Sequence, residues 1–316
     1  MSAEAVFTPS LGVCDPTLTV RRCHNRLWAL PGAKTFATGG GEKSKRRQHM
    51  FSHYKQEVSK YTKKDAIIAL VFFIYACIVT YVFSFLSTLP NAPFGDTVST
   101  IMSAVLITGP LFCIIIFKKQ GLSSIGLHTK NLWPALRIGL ILSAVILMFN
   151  AILPWLLSDW DFRPTNLIMQ FLFFSVVTSL VEDTLYTGFI QTRIYGLIKN
   201  DFVAVLVTAA LFALSHIPTH VAFGGVAGLS VIISFSMIFW IIMHCIWNLI
   251  FRRHFSLFPI MMTHIVWNFG NTGIFDRPGT HGHWISTYNL YVFLLAVIIW
   301  LVISRRNARK TSAKQA

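Results

Sequence analysis

Long apolar runs dominate this sequence and limit what the chain can fold into. Eight runs of about 16 to 24 residues are separated by short polar segments that carry most of the charge. A bilayer core of about 30 Å needs roughly 20 apolar residues in a helix, because each residue adds about 1.5 Å. Charged residues make up only 12% of the chain, against about 25% in a typical soluble domain. The pattern excludes a soluble globular domain and predicts membrane-spanning helices.

The predicted fold is all-α: a polytopic membrane helical bundle with about eight transmembrane helices. The predicted spans cover residues 66–87, 98–117, 138–157, 167–190, 202–217, 228–249, 257–273 and 288–304. With the N-terminus in the cytoplasm, 25 of the 27 Lys and Arg residues lie on the cytoplasmic side, the exceptions being Arg163 and Arg277. Because cytoplasmic loops are enriched in Lys and Arg, we expect both termini in the cytoplasm.

The net charge of +15 is spread over loops and tails. It therefore indicates contact with anionic lipid, and no nucleic-acid partner is expected. Residues 1–65 are polar and basic, show no helical or strand period, and are predicted to be a disordered extension. Met50 opens a stretch that looks like a membrane-protein start, so residues 1–49 are expected to be dispensable. The five cysteines show no paired spacing, which indicates neither a disulfide nor a Cys-ligated zinc site.

Two adjacent carboxylates lie well inside the predicted span 167–190. They are Glu182 and Asp183, whereas the other acidic residues lie in tails, loops or at their edges. An ionisable group in hydrocarbon costs at least about 2.5–3.5 kcal/mol, so such a pair indicates a functional site. A general base beside a proton-carrying partner would use it. The structural alternative is that the pair bonds backbone groups at a helix break, or that the span ends near residue 180.

Histidines on two later spans extend the candidate site. His216 follows Phe212 by four residues, and His264 precedes Asn268 by four. A spacing of four places two side chains on one helix face. A single membrane histidine is more often an interhelical hydrogen-bonding residue than a catalyst. Two histidines, an asparagine and a carboxylate on three helices, however, provide a base for water and donors for an oxyanion.

Three short motifs therefore follow one another on separate spans: Glu182-Asp183-x3-Thr187-Gly188, then Phe212-x3-His216, then Ser256-Leu257-Phe258-Pro259 leading into His264-x3-Asn268. This order resembles the CAAX protease and bacteriocin-processing (CPBP) family of intramembrane endopeptidases, over about residues 165–275. The resemblance implies a CPBP-like protease core there, preceded by transmembrane helices at 66–164 and followed by a last helix and basic tail at 276–316. It also favours the plasma membrane of a bacterium.

The resemblance implies a role for each matched residue. Glu182 with His216 would activate water, while His264 and Asn268 would hold the oxyanion or a metal. Phe212 and Asp183 would be supporting residues. The family's first motif usually has two glutamates, three residues and then an arginine; here Asp183 and Thr187 replace the second glutamate and the arginine. Arg193 lies eleven residues from Glu182, about 16 Å along a helix, so it is not expected to substitute.

The sequence does not fix a cofactor, but it leaves a divalent metal such as zinc open. His244 and Asn248 repeat the spacing of His264 and Asn268. In one interpretation they are interhelical contacts outside the site. In another, His216 and His264 are zinc ligands, with His244 as a weaker candidate and Glu182 as the base, since three neutral nitrogens and an open position suit catalytic zinc.

Depth in the membrane argues against a single site. Counted from the predicted cytoplasmic helix ends, Glu182 and His264 lie about 10–12 Å deep, but His216 lies about 21 Å deep. Convergence therefore requires the fifth helix to start below the membrane plane or to tilt strongly.

Three functions are compatible with the sequence. The first is an intramembrane endopeptidase that cleaves membrane-associated or lipidated peptides, CAAX-like or bacteriocin-related, with the bilayer and a membrane-anchored peptide as partners. The second is a catalytically degenerate member that binds membrane peptides as an immunity or regulatory protein. The third is a transporter using the same carboxylates, although no inverted repeat typical of transporters is visible.

Overall fold

A computed structural model of the chain divides into two units, residues 1–41 and 42–316. The structure describes residues 53–89, 96–130, 132–157, 161–162, 170–223, 237–271 and 275–276, all in the second unit. Two sequence predictions, the dispensable extension 1–49 and the eighth span 288–304, lie outside the described residues, as do Arg163 and Arg277. Residues 53–65, predicted as the end of a disordered extension, are instead ordered, because Tyr54, Val58 and Tyr61 are buried in the core.

The described residues are almost entirely helical. The helices are α1 (53–58), α2 (Lys63–Ser87), α3 (Asp96–Phe117), α4 (132–157), α5 (170–194), α6 (Asp201–Leu214), α7 (Met237–His254) and α8 (Phe258–Asn271). A 3₁₀ turn covers Leu122–Ile125, a short helix 217–223 follows α6, and α4 contains a π-helical turn at Met148–Ile152. A two-residue antiparallel bridge joins Asp161–Phe162 to Phe275–Asp276.

Three helical stretches are long and apolar enough to cross a bilayer: Lys63–Ser87, Val98–Phe117 and Asp201–Phe223. The apolar helix Leu132–Leu147 is shorter. Within the described residues these helices confirm a helical architecture of membrane type, and the predicted spans from 66–87 to 257–273 each overlap a described helix. The total of about eight transmembrane helices, and the cytoplasmic position of the termini, stay predictions.

Basic residues gather at one end of the bundle. Thr62 caps α2 in a capping box with Asp65, and Asp65 pairs with Lys118 at the end of α3 at 3.5 Å. A Cβ atom added at Gly196 would overlap the carbonyl of Thr62, so the loop after α5 reaches the same place. Because the start of α2 lies beside the end of α3, these two helices run antiparallel. We call this the basic end; the far ends of α2 and α3 lie about 30 Å away.

The α5 helix occupies the centre of the bundle. It packs against α2, α3, α6, α7 and α8, while α8 packs chiefly on α4 and α6 on α7. A Cβ atom at Gly139 would lie 3.0 Å from the Cα of Pro259, so the missing side chain allows α4 and α8 to approach closely. Because α5 is surrounded, its side chains face neighbouring helices on most sides. Motif residues on α5 can therefore meet residues from α6, α7 and α8.

Candidate active site

The two carboxylates of α5 have different surroundings. Glu182 ends a short α-helical segment, and a π-helical turn runs from Asp183 to Ile190. Such turns widen the helix and are frequent at functional sites. The side chain of Glu182 is 26% exposed, whereas that of Asp183 is 1% exposed. Glu182 is therefore accessible to a ligand, and Asp183 faces the protein interior.

His264 on α8 contacts both carboxylates. Its Nδ1 atom lies 3.1 Å from Oδ1 of Asp183, and its Nε2 atom lies 3.5 Å from Oε2 of Glu182. The ring also packs against Trp247 with centroids 4.4 Å apart. The shorter contact is a hydrogen bond, while the longer one is at the limit of that geometry. His264 is thus oriented by the buried carboxylate and remains near the exposed one.

Asn268 lies one turn after His264, on the same helix face. Its Nδ2 atom donates a hydrogen bond to Oγ of Ser179 at 3.2 Å. A primary amide carries two N–H groups, so one remains for another acceptor. Ser179 in turn lies three residues before Glu182, on α5. The Asn268 amide is therefore fixed next to the carboxylate helix, and its second N–H has no acceptor among the residues that the structure describes.

His216 follows the C-terminus of α6. Its Nδ1 atom lies 3.0 Å from the carbonyl oxygen of Phe212, and its ring stacks on Trp240 at 4.0 Å. When the proton is on Nδ1, this nitrogen donates to the carbonyl and Nε2 is left as an acceptor. The ring is thus held by one backbone contact and one aromatic face, with a nitrogen available for chemistry.

Phe212 lies among the histidines. Its ring stacks on His244 at 4.4 Å and meets His216 edge-on at 4.9 Å. His244 is fully buried, and neither of its ring nitrogens has a partner among the residues that the structure describes. Phe212 therefore lies between His216, which follows α6, and His244 on α7.

One cavity of about 280 Å³ is lined by all four candidate residues, Glu182, His216, His264 and Asn268. Its remaining walls are largely aromatic and come from Phe212, Phe239, Trp240, Trp247 and Trp267. His244 does not line it. We call it the aromatic cavity. A second cavity of about 410 Å³ shares Thr178, Glu182 and His216 with it and extends between α2 and α3. Glu182 and His216 thus stand where two cavities meet.

The depth difference expected from the sequence is removed by two features. The α5 helix continues to Ile194, four residues beyond the predicted span. Glu182 consequently lies about 18 Å from the helix end, close to the roughly 22 Å of His216 from Asp201. The α8 helix also begins inside the protein, since Ser256 and Leu257 are fully buried. Its first turn therefore starts well below the surface.

Residues 164–270 match the family model described as type II CAAX prenyl endopeptidase Rce1-like. This segment is Rce1-like. The resemblance predicted from the three motifs is confirmed over these residues, which make up about a third of the chain and contain the whole candidate site. No curated protein and no solved structure matches the chain.

The Rce1-like segment has a threonine where the family pattern has an arginine. Thr187 is fully buried, and its Oγ1 atom has no partner within the described part of the chain. Arg193 does not take over, because its guanidinium donates to Gln120 and Ser124 and lies over the rings of Tyr61 and Phe189. It therefore joins α5 to the loop after α3 at the basic end.

The described donor set of the Rce1-like segment does not fit a metal. Among the described residues, no three His, Cys, Asp or Glu side chains are grouped so that they could hold an ion. Both nitrogens of His264 face carboxylates, His216 offers a single nitrogen, and His244 lies outside the aromatic cavity. No step proposed below passes through a metal.

Sequence reasoning missed several residues of the site. Ser179 holds Asn268, and Trp240 and Trp247 stack on His216 and His264. A usable signal existed for Ser179, since it precedes Glu182 by three residues and so lies on the same side of the helix. The tryptophans gave no such signal, because aromatic residues in apolar helices are usually ordinary packing residues.

Proposed function

We propose that this chain is an intramembrane endopeptidase that hydrolyses a lipidated or otherwise membrane-anchored peptide. The observation that carries the proposal is the partly exposed Glu182 in a cavity wall, joined through His264 to the buried Asp183. The Rce1-like match supports a protease of the CAAX class for this segment. A reactive carboxylate inside an apolar bundle is otherwise costly, so it is expected to have a role.

Glu182 is the proposed general base. Its carboxylate takes a proton from water while the water oxygen attacks the carbonyl carbon of the scissile amide. The nitrogen Nε2 of His216 accepts the second hydrogen bond from the same water. When the carbon–nitrogen bond breaks, Glu182 returns the proton to the leaving amine. These steps consume one water and one amide bond and need no other reactant.

The developing oxyanion needs hydrogen-bond donors. Asn268 has one N–H free of Ser179. His264 can supply a second donor from Nε2 when both ring nitrogens carry a proton, a form that the carboxylates of Asp183 and Glu182 on either side of the ring favour. Asp183 is then a positioning residue that keeps the ring in place. The aromatic walls suit an apolar group of the substrate beside the scissile bond, such as an isoprenyl chain.

The test uses the full chain in lipid nanodiscs with a fluorogenic peptide that ends in an isoprenylated CAAX sequence. Glu182→Gln keeps the side-chain shape but removes the base, and it should lower the turnover at least about 100-fold. The matched control is Glu57→Gln at the basic end, where the carboxylate contacts Lys60 and Tyr61; its rate should be unchanged. Equal turnover of the unmodified chain and Glu182→Gln contradicts the proposed mechanism.

A second candidate, a protein that binds such peptides without cutting them, is favoured by one observation. Thr187 replaces the family's arginine, and no guanidinium is placed at Glu182 in the described residues. The same experiment separates the two functions. If the labelled peptide binds the unmodified chain and Glu182→Gln with equal affinity and neither releases product, the binding function is supported and the endopeptidase is excluded for this substrate.

A further inference from the structure

The larger cavity has a polar wall that the proposed hydrolysis does not yet use. It lies between α2, α3, α5 and α6 and meets the aromatic cavity at Thr178, Glu182 and His216. Hydroxyl side chains from several helices line it, among them Thr80, Ser84 and Ser87 of α2, Ser103 of α3, Ser215 after α6 and Thr219 of the helix 217–223. We call this space the hydroxyl cavity. It lies on the α2–α3 side of Glu182, whereas the aromatic cavity lies on the α7–α8 side.

Three of the hydroxyl groups donate their hydrogens to nearby backbone carbonyls. Ser87 donates its hydrogen to the carbonyl of Ser84 at 2.8 Å, and Ser103 donates to the carbonyl of Thr100 at 2.9 Å. Ser215 donates to the carbonyl of Phe212 at 2.6 Å in the same way. A hydroxyl has one hydrogen and two lone pairs, so each of these oxygens retains acceptor capacity. The carboxylate of Glu182 adds further acceptors to the same wall.

The polarity is confined to one side of each helix. On α3, Ser103 lines the cavity, while Val105, two residues later, is 57% exposed on the outer surface. On α2, Ser84 lines the cavity, while Ile78 is 58% exposed. Both helices are apolar enough to span a bilayer. Polar side chains in such helices usually face the bundle interior or a water-filled space and not lipid.

We propose that the hydroxyl cavity is a water compartment that delivers the hydrolytic water to Glu182 from the α2–α3 side while the peptide occupies the aromatic cavity. The wall carries hydroxyls, a carboxylate and histidine rings, so it offers both hydrogen-bond donors and acceptors. Water both donates and accepts. The volume of about 410 Å³ holds on the order of ten waters at about 30 Å³ each. The delivery step rests on the proposed function.

The first experiment measures water access without using proteolysis. In a background whose five native cysteines are replaced by alanine, Ser103→Cys and Val105→Cys form a matched pair on α3. The full chain in nanodiscs is treated with a charged, water-soluble methanethiosulfonate, which reacts with the thiolate form. Ser103→Cys should react at least about 10-fold faster than Val105→Cys, since only the former faces water. Equal or slower labelling of Ser103→Cys overturns the water compartment.

The second experiment links the compartment to hydrolysis. The reagent attached in Ser103→Cys fills part of the cavity, so turnover of the isoprenylated peptide should fall at least about 10-fold with little change in KM. Removal of the adduct with dithiothreitol should restore turnover. Reagent-treated Val105→Cys should keep its rate. Full turnover with the adduct in place overturns water delivery by this route.

The two proposals fail in different ways. If Ser103→Cys is labelled rapidly but the unmodified chain cleaves no isoprenylated peptide, the endopeptidase function fails and the water compartment stands. If the peptide is cleaved and Ser103→Cys is as unreactive as Val105→Cys, the compartment fails and the endopeptidase stands.

Discussion

The Nδ1 atom of His264 lies 3.1 Å from Oδ1 of Asp183, in a contact where the two side chains are only 4% and 1% exposed. The second carboxylate of the motif therefore faces the histidine and not the cavity. Its neighbour Glu182 is left 26% exposed in the cavity wall. This division of roles between adjacent residues leads to the first prediction.

Asp183→Asn should lower turnover by about 10-fold, and Asp183→Ala by about 100-fold. Asparagine keeps an oxygen that can accept from Nδ1 of His264, whereas alanine leaves the ring without its orienting partner. KM should change little in both, because Asp183 does not line the aromatic cavity. Steady-state kinetics with the isoprenylated peptide, together with the pH profile of turnover, measure this. Equal losses in the two variants would mean that the charge of Asp183, and not its acceptor oxygen, matters.

Chelation should not change the hydrolysis rate. The nitrogens of His264 face two carboxylates, and the described residues contain no group of three donors that could hold an ion. Turnover is measured before and after dialysis against a chelator, with zinc added back as the control. A loss that zinc restores would support the three-histidine interpretation of the sequence instead.

Gly188→Ala should destabilise the protein by about 1–3 kcal/mol, as overpacking does. The added Cβ atom would lie 3.0 Å from the carbonyl oxygen of Ile125 and 3.1 Å from Cδ1 of Leu257. Gly109→Ala is the matched control, because nothing lies within 4 Å of its added Cβ atom; it should be neutral or up to about 1 kcal/mol more stable. Thermal unfolding in detergent compares the two. Similar melting temperatures would show that the backbone around Ile125 yields easily.

Stability should fall as the pH is lowered from about 6.5 to about 4, in part because of His254. This side chain, beyond the predicted span 228–249, is 3% exposed. Burial, with a smaller contribution from Arg253, lowers its pKa from 6.5 to about 4. Above about pH 6.5 the histidine is neutral in both the folded and the unfolded chain. Below it, the unfolded chain takes up a proton that the folded chain accepts only near pH 4, so unfolding is favoured.

The difference amounts to at most about 3 kcal/mol, at about 1.4 kcal/mol per pH unit. Unfolding at pH 7.5 and 4.5 should therefore show a smaller pH effect in His254→Gln than in the unmodified chain. An unchanged pH effect in that variant would assign the acid sensitivity to other groups.

The sequence by itself determined roughly where the described helices lie and named the residues of the candidate site. Apolar runs require helices in a bilayer, since backbone groups there must be bonded within the segment, and the described helices overlap the predicted spans. The Rce1-like resemblance was also contained in the sequence, because spacings of four residues on helices place Phe212 with His216 and His264 with Asn268. These features depend on local geometry alone.

Only the tertiary structure decided how those residues meet. It pairs Asp183 with His264 and leaves Glu182 in the cavity wall. It also extends α5 to Ile194, so that Glu182 and His216 lie at similar depths. It also placed the hydroxyl cavity against one side of Glu182 and the aromatic cavity against the other. The side chain of Trp240 looks like ordinary helix packing in the sequence. Its partner comes from a helix more than twenty residues away along the chain, and the relative rotation and depth of packed helices are set by contacts that no local pattern records.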